Sequence, residues 1–257
     1  MSGMRTRAIR WLGVAVLTLS VVAQVHAAEI TVLSAGAVRS IVTDLAQAFE
    51  KETGHKLAME FGPVGVTRKR LASGPADLVI MSDVAVDETI KEGGIVAGSR
   101  VDIARTGMGV GVRDGAPKPD IATAEAFKQA LLAAKSIAYV DPAQGATSGI
   151  YLASLLQKFG IADAMKPKTT LVPGGYPAEL VAEGKVEMVV HQISEIVPVK
   201  GVTLVGPLPR DVQRVTTYAA GIPTKATTPD VARAFVAFMT SPAMKAKFAA
   251  AGLDYKD

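Results

Sequence analysis

The chain is 257 residues long, with 28 Lys and Arg, 24 Asp and Glu, three His, one Trp and no Cys. The lack of cysteine excludes a disulfide framework and a lipid-modified N-terminal cysteine, so the fold must be held by its apolar core. Aromatic residues make up only 5% of the chain, too few to support a base-stacking platform or an aromatic-lined sugar pocket.

The first residues read as a secretory signal. Arg5, Arg7 and Arg10 form a basic start, residues 11–22 an apolar core too short to span a bilayer, and Val25-His26-Ala27 a small-residue cleavage site. A signal peptide over residues 1–27, removed after about Ala27, implies a periplasmic protein. Its removal takes three of the 28 basic residues and none of the 24 acidic ones, leaving 25 against 24. Near-neutral charge gives no footprint for nucleic acid or a membrane surface, so a partner is selected by a local site.

Beyond the signal, short β-rich runs alternate with helical patterns. The expected order is strand 29–33 (EITVL), helix 38–53, strand 56–61, helix 67–73, strand 77–81 (DLVIM), helix 86–92, strand 108–112, helix 124–134 and strand 136–140. There follow a helix to residue 159, strand 170–172, helix 177–183, strands 186–191, 202–205 and 216–222, and two helices starting at Pro229 and Pro242. This is the rhythm of a mainly parallel sheet covered by helices on both faces. Pro117 and Pro119 mark a surface loop.

In open α/β sheets ligands bind beyond the carboxyl ends of strands, and three small-residue loops lie there. The first is Ser34-Ala35-Gly36-Ala37, with Arg39 in the helical turn behind it. The second runs from Phe61 through Gly62, Pro63, Val64 and Gly65 into Thr67 and Arg68. The third, DPAQGATSGIY over residues 141–151, breaks an apolar strand and opens a helix, with Thr147, Ser148 and Gly149 at its start. Such junctions turn helical N–H groups and hydroxyls towards an anion. Arg39 and the Arg68–Arg70 run read equally as solvated helix faces, Thr147 and Ser148 as N-caps, and Asp141-Pro142 as a turn device. Tyr151 and Tyr176 read as packing residues and His55 as a surface residue.

Other chemistries find less support. The GMGVG run at residues 107–111 lacks the spacing of a dinucleotide fingerprint, no G-x-S-x-G elbow occurs, and two histidines beyond the signal with no cysteine offer no transition-metal cage. No cofactor and no metal are expected.

The segments SAGAVRSIVTDLAQAFEKETG, GPADLVIMSD and VDPAQGATSGIYLASLLQKFG resemble the periplasmic molybdate-binding proteins of ABC transporters and their wider relatives. The resemblance runs along nearly the whole chain beyond the signal. It implies an α/β, two-lobed type II periplasmic binding protein, each lobe a mainly parallel sheet flanked by helices, joined by two hinge crossovers and closing on a ligand. Lobe one would then hold residues 28–106 and 218–257, and lobe two residues 107–217. It also implies a monomer that passes a small anion to ABC transporter membrane subunits.

Molybdate-binding relatives hold their oxyanion with neutral hydroxyls and backbone N–H groups. Here Ala37 stands where their first serine is expected, the second falls near Val64 and Gly65, and their tyrosine aligns with His191. Each missing hydrogen bond to a buried anion costs roughly 1.5–3 kcal/mol. Arg39 and Arg68 on or beside the cleft loops, with Gly36 and Gly175, and with His191 and Gln192 ending the strand VEMVVHQ on the other lobe, suit a di- or tricarboxylate better than molybdate. Some relatives are aconitate isomerases, which shift a proton on an allylic tricarboxylate. In that alternative His191 is the base, Arg39 and Arg68 clamp carboxylates, and helix N-termini stabilise the developing charge.

Overall fold

The computed structural model describes residues 27–254, so the expected signal peptide over residues 1–27 lies, except for its last residue, outside the described residues. Among the described residues nine strands form one continuous, curled sheet. β1 (Glu29–Ala35) pairs in parallel with β2 (Lys56–Gly62) and β3 (Leu78–Ser82). In the second half, β5 (Ile137–Val140) pairs in parallel with β6 (Thr169–Val172) and β7 (Met188–Gln192).

Two long strands join the halves. β4 (Val101–Arg113) pairs antiparallel with β9 (Val215–Gly221) as far as Gly107. From Met108 onward it pairs instead with β7 and with β8 (Val202–Pro207). β9 in turn lies against β3. The order β2-β1-β3-β9-β4-β7-β5-β6 therefore places two parallel triplets on either side of an antiparallel crossing. This is a two-lobed α/β fold with two crossovers.

Each half has its own apolar core. In the first, α1 (Arg39–Thr53) buries Ile41, Val42, Leu45, Ala46 and Phe49, a helical-period stripe that packs on β1 and on α8 (Pro229–Met239). Gly54, in the left-handed region at φ 78°, ends the helix. In the second, α4 (Ala124–Ala133) and α5 (Thr147–Lys158) bury Phe127, Leu131, Leu152 and Leu155 against β4, β5 and β7.

Several expected boundaries shift. The strand expected over 108–112 extends to 13 residues because its first half, VDIARTG, pairs with β9; partly exposed Asp102 and Arg105 interrupt the apolar run there. The glycines of GMGVG make room for packing: a Cβ on Gly111 would fall 2.8 Å from Val189 and 2.9 Å from Ile196. α2 (Val64–Ser73) and α3 (Asp83–Lys91) start three residues earlier than expected, and a short α6 (Ala162–Met165) fills the stretch after Gly160. The helix expected from Pro242 is a 3-10 turn that leads into α9 (Lys245–Ala250). His55 is buried, not on the surface. Its Nδ1 accepts from the Ala28 N–H at 3.1 Å and its ring stacks on Phe49.

One buried carboxylate ties distant pieces of the first half together. Asp77 accepts from the N–H of Thr31, the N–H and hydroxyl of Thr227 and the N–H of Thr228, at 2.8–3.0 Å. Burial alone raises its pKa, but these donors outweigh it and hold the carboxyl below its usual range. Asp77→Ala orphans buried donors and is expected to lower stability by about 2–3 kcal/mol in urea unfolding at pH 7. A depressed pKa stabilises above the unfolded value, so the gap between variant and parent should close as pH falls through the folded value.

Candidate functional site

The carboxyl ends of both triplets face one another across a narrow cleft. From the first half come Ala35 at the end of β1 with Gly36 and Ala37 behind it, Arg39 in the first turn of α1, and Gly62 at the end of β2 with Pro63 and Val64 behind it. From the second come Val140 at the end of β5, Ala146, Thr147 and Ser148 around the start of α5, Gly174 and Gly175 after β6, His191 and Gln192 at the end of β7, and Glu195 in the turn that follows. Tyr218 of β9 closes the floor. The room left for the centre of a water-sized molecule is only about 30 Å³.

Backbone donors open into this space because nothing caps them. The N-cap position of α5 is Ala146, without a side-chain cap, so neither Thr147 nor Ser148 caps the helix; both line the cleft instead. The 3-10 turn Gly36–Val38 ahead of α1 likewise has no side-chain cap. Free N–H groups and the positive end of the α5 dipole suit a negative group between the halves. Asp141 is the expected turn device, its Oδ1 accepting from the Ala143 N–H at 2.9 Å.

The halves also touch directly. The Gly65 N–H donates to the Gly145 carbonyl at 3.2 Å. A Cβ on Gly65 would lie 2.8 Å from the Gly145 Cα, and one on Gly145, at φ 70°, would lie 2.7 Å from the Gly65 Cα. Only glycine at both positions allows this approach.

Two ionisable groups, His191 and Glu195, are buried here with few partners, and Arg39 is half-buried beside them. His191 is 1% exposed, and neither ring nitrogen makes a hydrogen bond. Its Nε2 lies 3.3 Å from Oε2 of Glu195, close enough for charge to matter but off the direction of a hydrogen bond. Burial pushes the imidazole down to about 3, so it is a neutral base. Burial pushes the Glu195 carboxyl up to about 8 against the pull of Arg39, so at neutral pH it is an uncharged acid. Arg39 stacks its guanidinium over Phe61 at 4.8 Å and Tyr176 at 5.6 Å, and its buried Nε has no partner. Tyr176 is raised to about 12, chiefly by burial and then by Glu195. The Tyr218 hydroxyl donates to Gln192 Oε1 at 2.9 Å, and burial raises its pKa.

Ten of the fourteen residues that sequence reasoning assigned fall in two groups around this cleft: Gly36, Ala37, Arg39 and Val64 on one wall, Thr147, Ser148, Gly175, His191 and Gln192 on the other, with Gly149 packed directly behind. A Cβ on Gly149 would strike the Val140 carbonyl, so its role is to seat α5 against β5. The remaining four are placed elsewhere. Ser34 is fully buried and its hydroxyl donates to the Ala35 carbonyl. The Thr67 hydroxyl donates back to the Pro63 carbonyl at 3.1 Å. Gly65 serves the contact with Gly145. Arg68 points outward, where it pairs with Glu88 at 2.6 Å and Glu92 at 2.5 Å and borders two outer grooves. Its expected role as a carboxylate clamp is corrected accordingly: Arg68 lies one helical turn beyond Val64 along α2, and Glu88 and Glu92 draw its guanidinium away from the cleft. Glu195, Tyr218 and the stacking of Tyr176 on Arg39 were not anticipated. The available signal was HQISE, which sets a carboxyl four residues after His191.

Among the described residues no three His, Cys, Asp or Glu side chains come together as a metal site, and no helix is long and apolar enough to cross a membrane.

Residues 30–254 match the family model described as bacterial extracellular solute-binding protein. The chain is 34% identical over 219 residues to an aconitate isomerase of Pseudomonas sp, covering 82% of each chain. It is 32% identical over 176 residues to the molybdate-binding protein ModA of Azotobacter vinelandii, covering 66% of this chain and 67% of that one. The solved periplasmic molybdate-binding protein of Azotobacter vinelandii superposes with a TM-score of 0.71 at 20% identity, covering 89% of this chain and all of that one.

A raised carboxyl pKa stabilises fully below the unfolded value and loses that contribution as pH rises through the folded one. For Glu195 the window runs from about 4.3 in the unfolded chain to about 8. Differential scanning calorimetry should therefore show the melting temperature falling by about 5–10 °C between pH 6 and pH 8, and Glu195→Gln should flatten that slope.

Proposed function

The chain belongs to the family of bacterial extracellular solute-binding proteins, and on that premise we propose that it encloses a small polycarboxylate and shifts a proton on it, interconverting cis- and trans-aconitate in the periplasm. The carrying observation is His191, a buried neutral base with both nitrogens unbonded, set in the cleft beside Glu195 and Arg39. A buried polar group left without a partner costs stability, and a ligand in the cleft would supply that partner. The 34% identity to a protein named aconitate isomerase supports the same reading.

The chemistry balances without a redox partner. Arg39 holds one carboxylate, and the N–H groups of the Gly36–Val38 turn and of α5 hold others. His191 takes a proton from the methylene carbon. The electron pair spreads over the allylic system and the adjacent carboxylate, the double bond moves one position, and the proton returns to the carbon at the other end. A carboxylate beside the imidazole favours its charged form, so binding raises its basicity towards what the transfer needs.

Residues 28–106 with 218–257 form one closing lobe in this reading and residues 107–217 the other. A space of about 30 Å³ admits no tricarboxylate, so entry requires the Gly65–Gly145 contact to part and the crossing strands to flex.

Proton NMR of each pure isomer incubated with purified protein tests the proposal. Both are expected to reach the same mixture. His191→Ala should lower kcat by about 10²–10⁴-fold. Arg39→Ala should weaken binding by about 10- to 100-fold, while Arg68→Ala leaves it within about twofold. The similarity to molybdate-binding proteins favours a second reading, a receptor that hands a carboxylate to an ABC transporter. Binding of aconitate without interconversion would select that reading and reject the isomerase.

A further inference from the structure

Glu195 has a position that the proton shift by His191 does not use. It ends the turn Ile193–Glu195, four residues after His191, and its side chain is 8% exposed. Oε2 lies 3.3 Å from His191 Nε2. Oε1 lies against the first lobe: a Cβ on Gly36 would stand 2.9 Å from it. Glu195 therefore reaches across the cleft from the β7 side to the turn that opens α1. Four groups face it from the surrounding elements: His191 on β7, Arg39 on α1, Tyr176 ahead of α7 (Ala178–Ala182) and Tyr218 on β9. Arg39 acts on it through space only, with no ion pair between them among the described contacts, because the guanidinium is stacked on Phe61 and Tyr176.

We propose that Glu195 contacts the ligand as an uncharged carboxylic acid, donating a hydrogen bond to a carboxylate of the bound anion and keeping that bond as negative charge gathers on the same oxygen. This deepens the polycarboxylate reading and rests on it. An ionised Glu195 would repel the anion at close range in a site from which water is excluded. The protonated form supplies an O–H···O⁻ bond, among the strongest a protein offers. The neighbours suit that role. Arg39 provides fixed positive charge, His191 stays free to take the proton from carbon, and burial raises the carboxyl to about 8. A donor aimed at developing oxyanion charge contributes about 10²–10³ in rate where one has been removed by mutation.

Isothermal titration with tricarballylate, a saturated tricarboxylate that has no double bond to move, separates this role from turnover. From pH 7 to pH 9.5 the parent protein should hold its affinity to about pH 8 and then lose about tenfold per pH unit. Glu195→Gln keeps an uncharged donor and should bind within a few-fold of the parent at pH 7, with no fall above pH 8. Glu195→Ala should bind about 10- to 100-fold more weakly at pH 7, also without pH dependence. In buffers of differing ionisation enthalpy at pH 9, the parent should take up about one proton per ligand bound, a readout that needs no variant. Affinity that stays flat through pH 8, zero proton uptake, or Glu195→Gln as weak as Glu195→Ala each overturns the proposal. If neither tricarballylate nor trans-aconitate binds the parent at pH 7, the polycarboxylate reading falls and takes this one with it. If tricarballylate binds with the expected pH dependence and aconitate is not interconverted, only the isomerase fails.

Discussion

The antiparallel pairing of β4 with β9 is the constraint on which the rest of the molecule depends. β4 spends its first half in one set of strands and its second half in the other, changing partner between Gly107 and Met108. Because each half is otherwise parallel, this crossing turns all the carboxyl ends towards a common line. Helices that follow those strands then start at the cleft, with their N–H groups and positive dipole ends directed inward. Small residues at the junctions let the backbones approach, most closely where Gly65 meets Gly145. The site owes its position to topology and its chemistry to a few side chains placed on that frame.

Two buried carboxyls illustrate how surroundings divide one residue chemistry into opposite states. Asp77 receives four hydrogen bonds from Thr31, Thr227 and Thr228, which hold its carboxyl below the usual range. Glu195 lies between an imidazole that does not bond to it and a guanidinium stacked on aromatic rings, and it stays protonated to about 8. The first carboxyl is fully satisfied by the protein and holds the fold. The second keeps hydrogen-bonding capacity unused in a cleft, at a cost to stability that only a ligand offsets.

The alternation of strands and helices was legible in the sequence because the apolar runs EITVL and DLVIM and the helical stripe of α1 are locally unambiguous. The strand continuing before Met108 was not, since its burial comes from β9, a partner more than a hundred residues away. By the logic of strand ends, the small-residue loops pointed to the segments that line the cleft. Arg68 misled because it lies one turn further along α2 than the cleft residue Val64, and the carboxylates of Glu88 and Glu92, unseen in the local sequence, hold its guanidinium outward. Glu195 escaped notice because nothing local distinguishes a buried glutamate from a solvated one. Its burial is imposed by Gly36 and Arg39 from the opposite half of the sheet.

The network at Asp77 also bears on how the chain reaches this structure. Its acceptor oxygens bind N–H groups at residue 31 and at residues 227 and 228, so the first strand cannot be locked in place until nearly the whole polypeptide is available. The intervening half draws its core from residues 108–212 alone. Assembly from the N-terminus would then run out of sequence order, with the central half collapsing around local contacts while the initial segment waits for the last. Long-range closures of this kind slow folding and prolong the lifetime of an open chain. Until residues 227 and 228 have been added, the first strand lacks this anchor and the chain stays open.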